Sequence, residues 1–369
     1  MTRGRPLAID LFSGAGGLSE GLRLAGFKVC LAIESEPDPF SVYSMNHPET
    51  LALRIPIQEV KRFDGFLGKL GIKKGDIDVV AGGPPCQGFS VANTRTRGLE
   101  NGHSKLVWQF LRAVKDIRPR AFVMENVPGI CSINDGKVVD RLHSRFESIG
   151  YNVMKIRLDS ADYGVPQHRS RLFLTGCQDS KISAPKPSHG PESKSPFVTV
   201  REAIVGDLPR LGRSCGSYEM DYLGKPKSRY QKWLRVSSPI LHDHVTTKCG
   251  PSVKERIRLI GPGESLHSLM EKGRVPRRLR IRIDHASVYR RLNLDGPSVT
   301  VVHFRKAMTI HPIENRLLTL REAARLQSFQ DHYRFGGRIG SMQQMIGDSV
   351  PPLLAEAVAR EIARAIRRN

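Results

Sequence analysis

Short apolar runs punctuate the first half of the chain and alternate with stretches of helical spacing. Leu7-Ala8-Ile9-Asp10-Leu11-Phe12 is one such run; it stops at a glycine cluster, after which Leu18 to Leu24 recur with a helical period. Lys28 to Ile33 is a second candidate strand that ends at Glu34, and Ile77 to Ala81 a third that ends at Gly82-Gly83-Pro84-Pro85. Leu106 to Ile117 is amphipathic and helical, and Ala121-Phe122-Val123-Met124 is again a strand. Strands set apart by helices imply right-handed crossovers and a mainly parallel sheet covered on both faces. The pattern predicts a Rossmann-like α/β domain.

The alternation breaks after Gly176. Ser183-Ala184-Pro185-Lys186-Pro187-Ser188-His189-Gly190-Pro191 is rich in Pro and Ser and cannot continue a strand or helix, so it reads as a boundary. From there to about Asp295 the chain is irregular and rich in Arg and Gly, with a basic peak at Lys272, Arg274, Arg277, Arg278, Arg280, Arg282, Arg290 and Arg291. Helical patterning returns at Thr319 to Leu326, and again from Pro351 to Ile366, where Leu354, Ala357, Val358 and Ile362 share a face. No internal repeat is present.

Charge narrows the partners. The 369 residues carry 58 Lys and Arg against 36 Asp and Glu, a formal net charge of +22. A surface this basic repels itself unless it meets a polyanion, and nucleic acid is the commonest one; a membrane surface is the rival. Apolar residues make up 39% of the chain, yet no unbroken run approaches the roughly 20 residues that a bilayer span needs. The start, Met1-Thr2-Arg3-Gly4-Arg5, is basic, but Asp10 interrupts the apolar stretch after it and makes a poor signal peptide. Cys30, Cys86, Cys131, Cys177, Cys215 and Cys249 are scattered without a C-x-x-C pair and read as reduced thiols, all but Cys86 as small core residues. His242-Asp243-His244 has no second ligand cluster beside it, so no metal is expected. These features predict a soluble, globular, intracellular chain.

Four segments carry candidate chemistry. Asp10-Leu11-Phe12-Ser13-Gly14-Ala15-Gly16-Gly17 follows a strand and opens a helix, where backbone N–H groups are free and the dipole is positive. Dinucleotide enzymes use such a turn for pyrophosphate, but their G-x-G-x-x-G pattern fails because Ser19 fills the third glycine slot. A nucleoside ending in a carboxylate, such as S-adenosylmethionine, suits the same helix end, with Glu34 accepting hydrogen bonds from two ribose hydroxyls. A tight turn without a ligand is the alternative. In Gly82-Gly83-Pro84-Pro85-Cys86-Gln87-Gly88-Phe89-Ser90, two glycines and two prolines fix the backbone beyond a strand's carboxyl end, a poor place for a core-filling cysteine. A thiol of reference pKa near 8.5 becomes a nucleophile only where positive charge or a helix dipole favours thiolate. Met124-Glu125-Asn126-Val127-Pro128-Gly129 puts a candidate acid at another strand's carboxyl end. In Tyr163-Gly164-Val165-Pro166-Gln167-His168-Arg169-Ser170-Arg171, an extended backbone would set Gln167, Arg169 and Arg171 on one face. Two guanidiniums there need carboxylate or phosphate, and a salt-bridged edge strand is the plainer reading.

These four motifs, in this order, resemble the bacterial-type cytosine-5 DNA methyltransferases. The resemblance continues through Arg316-Leu317-Leu318-Thr319-Leu320-Arg321-Glu322-Ala323-Ala324-Arg325-Leu326-Gln327-Ser328-Phe329 and closes with Ile346-Gly347-Asp348-Ser349-Val350-Pro351-Pro352. It covers about residues 7–176 and 295–366.

The resemblance implies a Rossmann-like S-adenosylmethionine-dependent methyltransferase domain over 1–179, a smaller irregular target-recognition domain over 180–294, and a return to the catalytic domain over 295–369. It implies methyl transfer to carbon 5 of a cytosine flipped from double-stranded DNA at a specific sequence. Cys86 would attack ring carbon 6 while Glu125 protonates nitrogen 3. Arg169 would hold the base carbonyl, Arg171 would orient Glu125 or a neighbouring phosphate, and Asn126 would fix the backbone of the crevice. The cofactor would lie against Phe12, Ser13, Gly14, Ala15, Gly16, Gly17, Glu34, Ile57, Pro85, Leu106, Asp348 and Ser349. Ser90 to Ser104, with Arg95 and Arg97, would close over DNA, with Ser90 on the flipped nucleotide's phosphate and Gln167 also on DNA. The implied setting is a monomeric, cytoplasmic, nucleoid-associated enzyme without metal or membrane, alongside a cognate restriction nuclease.

Two positions depart from the family pattern. Pro56-Ile57 stands where an acidic residue usually precedes Ile, so adenine recognition must lean on Ile57, Leu106 or backbone, and Asp348 replaces the usual Asn. Alternatives are a DNA-binding homologue that has lost catalysis, against which Cys86, Glu125 and Arg169 speak, and a tRNA cytosine-5 methylase, which the sizeable basic middle disfavours. An NAD-dependent oxidoreductase is weakened by Ser19.

Overall fold

Burial on both faces turns the leading apolar runs into strands. In β1 (Leu7–Leu11), Ile9 and Leu11 face one side of the sheet, Ala8 and Asp10 the other, and all four are fully buried. A strand covered on both sides needs such a near-continuous apolar sequence. The structure, a computed structural model, describes residues 4–85, 104–212, 214–283 and 288–367. After β1 come α1 (Gly17–Leu24), β2 (Lys28–Glu34), α2 (Pro37–Asn46), β3 (Leu51–Arg54), α3 (Asp64–Lys69) and β4 (Ile77–Gly82). Then follow α4 (Ser104–Ile117), β5 (Ala121–Asn126), α5 (Lys137–Ser148), β6 (Asn152–Asp159) and β7 (Ser170–Cys177). The later part holds α6 (Val200–Ile204), β8 (Gly216–Met220), α7 (Arg229–Leu234), β9 (Leu241–Val245), α8 (Pro251–Leu259) and α9 (Leu266–Glu271). It ends with α10 (Leu320–Leu326), α11 (Ile339–Asp348) and α12 (Pro352–Arg367).

By its contacts the chain divides into two compact units, the first comprising Met1–Asp159, Ser170–Lys186 and Pro352–Asn369, the second Ser160–Arg169 and Pro187–Pro351. The first is an α/β unit built on a seven-stranded sheet of order β3-β2-β1-β4-β5-β7-β6. Strands β1 to β5 pair in parallel, while β7 runs antiparallel to both β5 and β6. The order turns back at β1: the chain moves outward through β2 and β3, then returns to β4 on the other side. Open α/β sheets collect ligands outside the strands' carboxyl ends at such a switch point. The loops that leave β1 and β4 both start there.

The apolar face under α4 and α5 stacks Phe122 on Phe146 with ring centroids 4.0 Å apart, and Phe110 meets both edge-on. On the opposite face α12 packs on α1 so closely that a Cβ on Gly21 would fall 2.2 Å from that of Ala355. Strands β3, β6 and β7 lie outside the strands the apolar pattern predicts. β6 is an edge strand with alternating exposure, and its core contacts are few. Nor is Gln167 to Arg171 one extended segment. β7 begins only at Ser170 and Gln167 makes an isolated bridge to Ser298, so its side chain does not share a strand face with Arg171.

The second unit contains the antiparallel pair β8–β9, whose strands are joined through α7, and short helices held by buried ion pairs. Arg325 is fully buried between Asp207, 2.8 Å away, and Asp331, 2.6 Å away. Thr319 caps α10, its hydroxyl taking the Glu322 N–H, and Glu322 also pairs with Arg316 at 2.7 Å. Arg291, in the basic peak, is internal: its guanidinium donates to the carbonyls of Ile257, Ile260, His311 and Glu314 and to Asn315. Asp243 meets Arg321 and the Phe335 N–H, and the His244 ring sits between Thr319 and the Pro209 carbonyl. Among the described cysteines all are free thiols; Cys30 and Cys177 are buried, while Cys131, Cys215 and Cys249 are half-buried. Among the described residues no helix is long and apolar enough to cross a membrane.

Candidate active site

The chain leaves β1 through a turn that ordinary backbone angles cannot make. Phe12, Gly14 and Gly16 all have positive φ, 58°, 54° and 91°, and Gly16 starts α1 without a side-chain cap. Ser13 N–H bonds the Ile33 carbonyl at 3.1 Å, tying the turn to β2, and Ser13 Oγ is buried with no hydrogen-bond partner among the described residues. Glu34, at the end of β2, accepts the Gly14 N–H on Oε2 and the Ser35 and Glu36 N–H groups on Oε1, each at 2.8 Å. The carboxylate is thereby aimed at the turn; Oε1 is filled by its two N–H groups, and Oε2 keeps a lone pair for a hydroxyl. Phe12, Ile57 and Leu106 join one apolar cluster, with Ile57 fully inside it and its carbonyl held by Arg112 at 2.9 Å. Asp348 and Ser349 belong to the second unit. There Gln344 Nε2 lies 2.8 Å from both Asp348 carboxylate oxygens, and Ser349 Oγ bonds the Met345 carbonyl.

A second group assembles where β4 and β5 end. Glu125 is 8% exposed, and its Oε1 lies 2.8 Å from Arg171 Nε. The antiparallel register brings them together: Glu125 pairs with Phe173 and Asn126 with Leu172, so the first residues of β7 flank the last of β5. Gly83 gives the carboxylate room, since a Cβ there would lie 3.1 Å from Glu125 Oε2. Asn126 Nδ2 donates to the Pro84 carbonyl at 3.1 Å, and its Oδ1 accepts the Val127 N–H at 2.8 Å. One amide thus joins the loop after β5 to the loop that runs through Pro85 into position 86. Cys86, Ser90, Arg95 and Arg97 lie outside the described residues.

Gln167 and Arg169 belong to the second unit and are buried in it. Gln167 donates to Leu326 O and Gln327 Oε1, both at 3.0 Å, and accepts the Val301 N–H; it reaches DNA only by exchanging those bonds. Arg169 donates from Nη1 to Val301 O at 2.8 Å and from Nη2 to Gly347 O at 2.6 Å. Two features of the site leave little trace in the sequence. Gly83 is the close approach that admits Glu125, hinted at only by the paired glycines. Asp10 is a fully buried acid, betrayed by standing alone in an apolar run.

Comparison with known proteins agrees in both sequence and fold. The family model described as C-5 cytosine-specific DNA methylase matches residues 7–364. The Type II methyltransferase M.AgeI of Thalassovita gelatinovora is 34% identical, over 97% of this chain and 99% of its own length. M.DdeI of Desulfomicrobium norvegicum, also named a Type II methyltransferase, is 35% identical over 96% of this chain and 88% of its own. The crystal structure of a prophage-encoded E. coli protein, assigned as a DNA modification methyltransferase, superposes with a TM-score of 0.78 at 27% identity, covering 98% of this chain and 99% of that one.

Proposed function

Since the chain belongs to the C-5 cytosine-specific DNA methylase family and is a DNA (cytosine-5-)-methyltransferase, we propose that it takes its methyl group from S-adenosylmethionine and places it on a cytosine flipped out of double-stranded DNA at a specific sequence. The observation that carries the reading is the Glu125–Arg171 pair beside Gly83, with Asn126 holding Pro84, at the end of the sheet where β1 and β4 part. It supplies a shielded carboxyl group and a fixed approach for the residue at position 86.

The turn after β1 fits the cofactor on one observation, the buried Ser13 hydroxyl that lacks a partner among the described residues. Glu34 would take ribose hydroxyls, Phe12, Ile57 and Leu106 would wall the adenine, and the uncapped start of α1 would face the carboxylate. The proposed set also includes Pro85, Asp348 and Ser349. Bound there, S-adenosylmethionine supplies an electrophilic methyl on a sulfonium. Cys86 adds to carbon 6 as a thiolate, forming a C–S bond, and Glu125 gives a proton to nitrogen 3, which leaves carbon 5 enamine-like and nucleophilic. After methylation carbon 5 gives its proton to solvent, the C–S bond breaks to return the thiolate, and nitrogen 3 returns its proton to Glu125. Arg171 orients Glu125. Arg169 would steady the base carbonyl while two of its five N–H donors hold the Val301 and Gly347 carbonyls.

Flipping costs a few kcal/mol, which phosphate contacts must offset. Lys and Arg of residues 180–294 are the proposed source, with a few side chains reading base edges, and Ser90, Arg95 and Arg97 closing on the DNA. A cognate restriction nuclease belongs to the same proposal, by analogy with the relatives' names.

The test is tritium transfer from labelled S-adenosylmethionine to duplex DNA and to tRNA, followed by trapping on a duplex carrying 5-fluorocytosine at the methylated site. Label in DNA with a covalent adduct at Cys86, lost in Cys86→Ser, is the expected result. Label in RNA alone, or turnover undiminished in Cys86→Ser, would overturn the reading.

A further inference from the structure

The acid in β1 has no part in the chemistry above, yet it lies directly beneath the turn. Asp10 is fully buried; its Oδ2 accepts the Ser19 hydroxyl at 2.6 Å, and Ser19 Oγ lies 2.8 Å from the Tyr43 hydroxyl. Its Oδ1 is buried with no hydrogen-bond partner among the described residues. Ser19 is the third residue of α1, so this carboxyl group sits under the first turn of the helix whose start the cofactor would meet. A buried carboxylate with one oxygen left unbonded is costly in such a place unless a positive charge comes near it.

The titratable groups that face Asp10 do not provide one. Tyr43 on α2 stays protonated because burial, and then Asp10 itself, push its pKa up, and Glu34 on β2 is an acid. Glu20 on α1 is taken by Arg23 at 2.6 Å, and Glu356 on the facing α12 by Arg360. Burial, only partly countered by the Ser19 hydrogen bond and reinforced by Glu34, pushes the Asp10 pKa up to about 7. The group is therefore poised between its two forms in the neutral range.

We propose that Asp10 is the counter-ion of the methyl donor: partly protonated in the empty protein, it releases that share of a proton to solvent when the sulfonium binds and takes it back when the neutral thioether product is left. The inference rests on the cofactor reading of the turn. S-adenosylmethionine and S-adenosylhomocysteine share the carboxylate, the ammonium and the nucleoside, and differ by one methyl and one positive charge. A buried acid beneath the site distinguishes them by that charge alone. Donor binding that lowers the Asp10 pKa must strengthen as pH rises, by up to about tenfold per pH unit below neutrality, and level off above it. Product binding follows a much flatter course. The enzyme would then favour donor over product at neutral pH and less so in acid.

Calorimetric titration of the full chain with each ligand, in two buffers of different ionisation enthalpy at pH 7, counts the protons released. Expected is about half a proton for the donor, from an acid half ionised at that pH, and clearly less for the product. Asp10→Asn should bind both with equal proton release. Difference infrared spectroscopy on the unmodified protein, which holds even if Asp10→Asn fails to fold, should show a carboxylic-acid carbonyl band that disappears on adding donor and persists with product. Equal proton release for the two ligands, or a band unchanged by donor, overturns the inference while leaving the cofactor reading intact. If neither ligand binds, the cofactor reading itself falls.

Discussion

Replacing Asn126 by Asp keeps the shape of the side chain but exchanges its donor for an oxygen of a carboxylate. Asn126 is 4% exposed, with Nδ2 on the Pro84 carbonyl at 3.1 Å and Oδ1 on the Val127 N–H at 2.8 Å. Asp keeps an acceptor for Val127 but turns an oxygen toward the Pro84 carbonyl, so that link becomes repulsive. A buried acceptor left without its donor costs about 1–3 kcal/mol. If all of this is lost from the transition state, at about 1.4 kcal/mol per tenfold, the rate falls by about 5- to 150-fold. The loss should appear in kcat, because Pro84 lies two residues before the proposed nucleophile and a small misplacement of reacting atoms is expensive. Steady-state tritium transfer, together with separate binding curves for donor and duplex, checks this. Both dissociation constants should stay within about threefold of the parent while kcat falls about fivefold or more. Asn126→Ala breaks both bonds and should be at least as slow. A kcat within about twofold of the parent in both variants would refute the reasoning, since the clamp would then position nothing that matters to the chemistry.

Other consequences follow from the packing. Gly21→Ala would set its new Cβ 2.2 Å from that of Ala355 and 2.7 Å from the Glu356 backbone nitrogen; overpacking of this kind should cost about 1–3 kcal/mol, read as a lower urea midpoint. Arg325→Met leaves Asp207 and Asp331 buried without their main counter-charge, and breaking such a pair should cost about 3–5 kcal/mol. Calorimetry should show a lower Tm for the second unit, and an unchanged Tm would mean the carboxylates relax freely. The second unit should also lose stability as pH falls. His311 is held neutral, its pKa pushed down chiefly by burial, and its Nδ1 accepts the N–H groups of Ile313 and Glu314. Asp331, which burial alone would push up, is held below its usual pKa by Arg325. In both cases the unfolded chain binds the proton more readily, so stability is present above the unfolded pKa and drains away below it, first for the histidine, then for the acid. A denaturation midpoint that does not change between neutral and mildly acid pH would contradict this.

Where an element is buried on both faces, its apolar positions announced it. β1, β2, β4 and β5 and helices α1, α4, α10 and α12 follow the periodicities of the chain within a few residues. β6 escaped because only Ile156 and Leu158 of its residues are buried, and β7 because its start is a polar, arginine-bearing segment. The paired glycines, the Pro-Pro step and the acid after a strand were equally legible, since local backbone demands select those residue types wherever they occur.

By itself the amino-acid order determined which residue types stand at the carboxyl ends of the strands, and with them the family. It could not say that Arg171 meets Glu125, because that meeting depends on β7 running antiparallel to β5, a choice of direction made by the whole sheet. Nor could it separate Arg291, Arg321 and Arg325, which are buried struts, from arginines free to meet phosphate: all are alike as letters. Burial decides between them, because a guanidinium taken out of water must spend its donors on neighbouring oxygens, and those neighbours arrive from distant parts of the chain.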